Sequence, residues 1–316
     1  MEVTHRKSDI NPSISPAASA VIKALVYFDI FKYPLTLTEI QKYASFAFHH
    51  LSELETALQW LQEQLIVYRF GEFYTLQNEY NLITRRQAGN QQALQVMDVA
   101  FNKSKLIHKF PFVRSVNISG SLSKNYFDAT TDIDFFVIAK PGRIWICRFL
   151  LTIYKKIFLL NSRKYFCINY YVDVNNLEIP DKNLFSATEI VTLNNQTGAF
   201  YYQQFIAENS WVQSYFPSFR AADSKNNIDK ITGSKKVIEK LLSGKIGDVV
   251  ETLSYRLTSY FVARKYKQIK KDEFDVNMRL NKTASKHHPQ GFQFKVLSAF
   301  NNTCTAMESK HSITLH

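Results

Sequence analysis

The sequence predicts an α+β fold, and three observations carry that expectation. Apolar residues recur at helical spacing over 17–64, two β-rich runs at 113–118 and 133–138 flank a Gly-Ser turn, and helical periodicity returns across 201–316. The chain has 316 residues, is 46% hydrophobic and 14% aromatic, and holds only 9 Gly and 8 Pro, which excludes collagen-like and disordered classes. Its length is enough for two or three packed units.

Residues 1–15 carry turn signals at Asn11-Pro12 and Ser15-Pro16 and are expected to be a disordered tail. Ile22, Leu25, Val26 and Ile30 then mark a first helix, which Pro34 stops. The segment TLTEIQKYA at 36–44 predicts a second helix capped by Thr36 or Thr38, and Leu54, Leu58 and Leu61 share one face of a third, over 51–64. The runs LIVY (65–68) and FYTL (73–76), separated by RFGE, predict a hairpin. Three helices and a hairpin in this order resemble a winged helix, giving a unit over 16–80. In that fold the third helix enters a DNA major groove, but here it carries Glu53, Glu55, Gln59, Gln62 and Glu63, and acidic side chains repel phosphates. DNA binding is therefore not favoured over a role in packing or protein interaction.

A connecting helix is expected over 81–112, with Leu94, Val96, Met97, Val99, Ala100 and Ile107 along its length. The most apolar window, IWICRFLLTIYKKIFLL at 144–160, is interrupted by Arg148, Lys155 and Lys156 and is too short for a bilayer core, so it reads as a buried helix with snorkelling ends. The N-terminal residues lack the apolar core of a signal peptide. The three cysteines, Cys147, Cys167 and Cys304, form no CxxC pair, which argues against a disulfide framework and a zinc site, and a cytoplasmic location is expected. The 39 Lys and Arg outnumber 27 Asp and Glu, for a net charge of +12 that is scattered apart from clusters such as Arg264-Lys265-Tyr266-Lys267 and Lys270-Lys271. An acidic partner is plausible on that ground, without a choice among nucleotide, nucleic acid and anionic lipid.

The segment VRSVNISGSLSKNYFDATTDIDFFVIA at 113–139 carries the chemistry. Side chains at i and i+2 of a strand lie on one face roughly 6–7 Å apart, so Asp132 and Asp134 can hold one or two magnesium ions against a triphosphate. Gly120 lets backbone amides approach phosphates, Ser121 offers a hydroxyl, and Lys124 reads as a solvated surface lysine. The pattern Ser119-Gly120-Ser121, ten residues, then Asp132-Ile133-Asp134-Phe135 resembles the signature of the DNA polymerase beta-like nucleotidyltransferase superfamily, with Ser119 in place of the usual apolar residue. The resemblance implies a small mixed-sheet nucleotidyltransferase core over 113–200. It also implies metal binding and catalysis by Asp132 and Asp134, and phosphate binding by Gly120 and Ser121.

The run continues through GRIW (142–145), FCINYY (166–171), LEI (177–179), LFSATEI (184–190) and NSWV (209–212), and over 17–220 it is similar to a group of largely uncharacterised bacterial proteins that join a winged helix to such a domain. That superfamily places a third carboxylate in the next core strand, where it helps to deprotonate the attacking hydroxyl. Asn169 stands in that context here; it binds a hard cation more weakly than Asp and is no base. Asp173 lies about 13 Å further along a regular strand, and Glu178 and Glu189 are looser candidates.

The C-terminal region, 201–316, is expected to be helical, with packed helices over 237–242 and 249–262 and with Arg256, Arg264 and Lys265 on solvated faces. The pairs His49-His50 and His287-His288 read as loop or helix-end polarity rather than metal ligands, because adjacent helical residues point apart. The resemblance thus implies a transferase that moves a nucleoside monophosphate from a triphosphate, ATP foremost, to an acceptor that is a small molecule, protein or RNA, with Mg2+ or Mn2+. The alternative is a non-catalytic nucleotide-binding or winged-helix interaction protein.

Overall fold

A computed structural model of the chain describes residues 14–162, 164–221, 233–269, 274, 277–286 and 291–316. It is α+β: among these residues there are ten helices, a three-stranded antiparallel sheet and a five-stranded mixed sheet. The described residues group into two compact units, one drawn from 14–84, 213–219 and 295–316 and the other from those within 85–212 and 220–294.

The first unit follows the predicted order. Ser15, from the expected tail, caps α1 (Pro16–Asp29) by accepting from Ala18 N at 3.1 Å, and Pro16 at the first helical position supplies a preset φ. β1 (Leu35–Thr36) runs into α2 (Leu37–Tyr43) through a capping box in which the Thr36 hydroxyl accepts from Glu39 N and the Glu39 carboxylate from Thr36 N. α3 (Leu51–Glu63) buries Leu54, Leu58 and Leu61, and each fully buried leucine contributes about 1.5–3 kcal/mol. β2 (Tyr68–Phe70) and β3 (Phe73–Thr75) pair antiparallel, with β1 on the other side of β3. The C-terminal chain belongs to the same core: Phe300 packs on Tyr27 at 6.3 Å between ring centroids, and His316 N donates to Ser19 Oγ.

The second unit is built on a sheet whose order is fixed by its pairings. β4 (Val113–Ser119) runs antiparallel to β5 (Asp134–Ala139); β5 runs parallel to β6 (Cys167–Asp173), with α5 (Ile144–Phe158) as the crossover that parallel strands require. β7 (Asn194–Thr197) flanks β4 and β8 (Ala284–Lys286) flanks β6, both antiparallel. One face buries Ile118, Phe135, Val137 and Tyr171 against α5 and against Ala100 and Ile107 of α4 (Asn81–His108). On the other face lie α6 (Leu184–Val191) and α7 (Ala199–Glu208), with Phe205 of α7 4.9 Å from Phe136. Gly198 joins β7 to α7 at φ +69°, and a Cβ there would sit 1.9 Å from Arg114 O, so only glycine fits.

α5 is buried over less of its length than the expected buried helix with snorkelling ends. Its first half is buried through Trp145, Ile146, Cys147 and Leu151, whereas Ile157, Phe158 and Leu160 at its end are 63%, 68% and 90% exposed. α8 (Gly233–Leu241), α9 (Lys245–Lys265) and α10 (Phe292–His311) make up most of the helical C-terminal region. Lys270-Lys271 and His287-His288 lie outside the described residues. No helix among the described residues is long and apolar enough to cross a membrane.

Candidate functional site

The Gly-Ser element and the Asp pair meet at one end of the central sheet. Ser119, the last residue of β4, is opposite Asp134, the first of β5. Gly120 then turns the chain at φ +68°, and a Cβ built there would lie 2.5 Å from Asp134 Oδ2. Glycine is required twice over, by the left-handed backbone and by the carboxylate lying against it. Ser121 opens a short 3-10 turn over Leu122–Lys124. Asp132 precedes the strand rather than standing in it, and its charge still reaches Asp134.

Asn169 occupies the place next to Asp134 through a local irregularity of β6. Phe135 pairs with Ile168 and Phe136 with Tyr170, so Asn169 is the extra residue of a bulge. Its Nδ2 donates to Asp134 Oδ1 at 2.5 Å, and the Cys167 thiol donates to Asn169 Oδ1 at 3.2 Å. Asp134 is poorly matched in charge: burial pushes its pKa up to about 7, the Cys167 thiol opposes that rise, the charges of Asp132 and Glu189 add to it, and Lys124 opposes it. Burial raises the Cys167 thiol to about 12, with Asp134 adding to the rise, and burial raises Cys147 to about 12 and Cys304 to about 11. None of the three is a ready thiolate nucleophile at neutral pH.

Lys124 is not the solvated lysine expected of it. Its Nζ donates to Gly120 O at 3.0 Å and pairs with Glu189 Oε1 at 2.8 Å, tying the Gly-Ser turn to α6. Glu189 is placed by a capped helix, in which Asn183 Oδ1 accepts from Ser186 N at 3.0 Å. The spacer between the two motif elements is equally tied: Asp128 Oδ1 accepts from Thr130 N, Thr130 Oγ1 and Thr131 N, and Lys164 Nζ donates to the carbonyls of Asp128, Ala129 and Thr131. Neither Lys164 nor the Lys124–Glu189 pair was readable as part of the site, because both depend on partners more than thirty residues away.

Of the four candidates for a third acid, the structure brings two to the site. Asn169 touches Asp134, and Glu189 stands within electrostatic reach of it. Asp173 is 3% exposed at the far end of β6, accepting from Asn175 N and Asn176 Nδ2 at 2.9 Å, and Glu178 forms an exposed pair with Lys182. Strand alternation places Phe136 on the Asp134 face, and Tyr170 packs on it at 5.3 Å. Beside Tyr170, Lys286 and Arg279 share Asp181, at 3.4 and 2.8 Å, and Arg279 Nη1 is buried without a hydrogen-bond partner among the described residues.

Among the described residues no group of three or more His, Cys, Asp and Glu is arranged to hold a metal ion. Magnesium is commonly bound by one or two carboxylates plus substrate phosphates, a smaller demand than such a group of three makes. In the first unit, α3 exposes Glu55, Gln59 and Glu63, and a groove of about 490 Å³ beside it is lined in part by Glu55, Gln59, Gln62 and Glu72, with Arg69 as a single counter-charge. That composition is unfavourable to a nucleic-acid backbone. No protein-family model matches the chain, and neither a curated protein nor a solved structure matches it.

Proposed function

We propose that the Asp134 end of the sheet binds a nucleoside triphosphate with a divalent cation, and that the chain transfers the nucleoside monophosphate to an acceptor hydroxyl or phosphate with release of pyrophosphate. The observation that carries this reading is the contact of Gly120 with Asp134, which joins a phosphate-accessible turn to a carboxylate pair across ten spacer residues and the β4–β5 pairing. Asp132 and Asp134 are the residues to hold magnesium or manganese, which when bound neutralises triphosphate charge and polarises the reacting phosphoryl group.

The remaining roles belong to the chain itself. The Gly120 backbone admits phosphate oxygens to a wall without a side chain, and the Ser121 hydroxyl donates to them. Lys124 adds a positive charge to that wall, oriented by Glu189. Asp134 holds a proton below about pH 7, so its cation-binding form grows as pH rises through neutrality.

A second reading, nucleotide binding without turnover, is favoured by Asn169. The amide touching Asp134 cannot take a proton from an acceptor hydroxyl at neutral pH, so activity would depend on Glu189 or on an acceptor already ionised.

Calorimetric titration of ATP, GTP, CTP and UTP, with and without magnesium, tests the site. The expected result is metal-dependent binding that an Asp132→Asn, Asp134→Asn double variant loses. If no triphosphate binds, or the double variant binds equally well, the site is wrongly assigned. Pyrophosphate release in an acceptor screen then separates transfer from binding alone.

A further inference from the structure

Helix α8 turns its charged side inward and its apolar side out. Lys235 is 2% exposed and donates to the carbonyls of His108 and Val113, both at 2.7 Å, while Glu239 accepts from Phe112 N at 2.6 Å and pairs with Arg114 at 2.8 Å. On the opposite side Val237, Ile238 and Leu241 are 69%, 41% and 67% exposed. An ordinary surface helix has the reverse arrangement.

α9 continues the pattern. Its inward contacts run through Gly247, Ser254, Tyr255 and Glu251, with the Tyr255 ring tilted against Trp145 at 4.9 Å between centroids and Glu251 accepting from the first amides of α5 at 2.9 Å. Its outward side carries Ile246, Val249, Leu253, Leu257, Tyr260 and Phe261, all between 47% and 64% exposed. Steps of three and four residues keep these on one stripe, about 22 Å long at the helical rise.

The charges around the stripe identify what covers it. Each acid on the two helices is engaged: Glu239 by Arg114, Asp248 by Arg143 at 2.8 Å, and Glu251 by the α5 amides. Exposed beside the apolar residues are Lys236 and Lys240 on α8 and Lys245, Arg256, Arg264 and Lys265 on α9. The outward surface is therefore apolar and cationic. A second copy of the chain would set these cations against their own kind. Segments 1–13 and 222–232 of the chain itself offer too few apolar side chains, Met1, Val3 and Ile10 in one and Ile228 and Ile231 in the other. An anionic bilayer meets both demands, because its acyl region takes the apolar stripe and its headgroups take the flanking cations. α5, which packs on α9, ends in the same composition, with exposed Ile157, Phe158 and Leu160 next to Lys155 and Lys156.

We infer that α8 and α9 form a peripheral docking face for an anionic lipid surface, on which the chain lies without crossing. This inference is independent of the nucleotide site.

The test is co-sedimentation of the full chain with vesicles of phosphatidylcholine alone and of phosphatidylcholine containing about one third phosphatidylglycerol, a lipid that supplies the anionic headgroups. Binding to the anionic vesicles only, weakened but not abolished by salt, is the expected result. A Leu253→Glu, Phe261→Glu variant is expected to lose about tenfold or more of that binding, because both side chains leave the acyl region, and to keep the wild-type circular dichroism melt because both are exposed. Equal binding to the two vesicle types, no binding, or undiminished binding by the variant overturns the inference. So does a dimer in light scattering that the same two substitutions dissolve, which would give the face to a second copy.

Discussion

Two aspartates at opposite ends of the β5–β6 pair show how differently one fold can surround the same side chain. Asp173 sits opposite Ala139, where its carboxylate accepts from Asn175 N and Asn176 Nδ2 and its own amide donates to Thr283 O. Asp134 sits opposite Cys167, with Asn169 Nδ2 against it and Gly120 pressed to its other oxygen; burial raises its pKa to about 7, and the charges of Asp132 and Glu189 add to that rise. Asp173 completes a turn after the strand. Asp134 carries a charge that the fold does not balance, which is the condition expected of a group reserved for a cation or ligand.

The sharpest way to break this contrast is Gly120→Ala. The added methyl falls 2.5 Å from Asp134 Oδ2 at a positive φ, so the strain costs about 1–3 kcal/mol or displaces the carboxylate; loss of magnesium-dependent nucleotide binding in calorimetry is expected even where the fold survives. Asp173→Ala is expected to cost about 2 kcal/mol in urea denaturation, from two donors left unpaired, while nucleotide binding by the folded fraction stays at the wild-type level. Asp134→Asn has the opposite sign: it removes a poorly matched charge and is expected to raise the melting temperature above pH 7 by a few degrees, roughly what 1 kcal/mol gives a domain of this size, while abolishing metal-dependent binding. Asn169→Asp is the smallest change in volume. It adds a like charge beside Asp134, so it is expected to lower stability above pH 7 without metal and to make magnesium stabilise the fold more than it does the wild type.

Much of this was legible from the chain alone, and the parts that were not share a cause. Helical spacing of Leu54, Leu58 and Leu61, a cap at Thr36 or Thr38 and a hairpin turning near Gly71 are local signals; the structure buries the leucines, caps α2 with Thr36, and makes the hairpin with Arg69 and Phe70 in β2 rather than in the turn. The proximity of Gly120 and Asp134 was readable because one pairing of adjacent strands brings them together. β7 escaped notice because Asn194–Thr197 has no apolar residue; it is buried by an amide network in which Asn195 Nδ2 donates to Asn117 Oδ1 at 2.8 Å and to Thr197 O at 3.0 Å. The bulge that aims Asn169, the Lys124–Glu189 pair and the inverted face of α8 depend on long-range partners that no window of sequence contains. α5 reads in sequence as a buried helix with only its charged ends snorkelling, whereas Ile157 and Phe158 in its last turn are exposed along with Lys156 beside them.

The central claim is that Asp134 is an uncompensated acid held ready for a cation-bound ligand, and melting temperature against pH tests it most directly, for wild type and Asp134→Asn, with and without magnesium and ATP. The folded pKa of about 7 lies above the ordinary 3.8, so the folded state keeps a proton that the unfolded chain releases between those values. Stability of the free wild type should therefore fall as pH rises through that window relative to the variant, and at pH 8 magnesium with ATP should restore it in the wild type alone. A variant that is less stable than wild type at pH 8 without ligand, and equally stabilised by magnesium with ATP, would contradict the account.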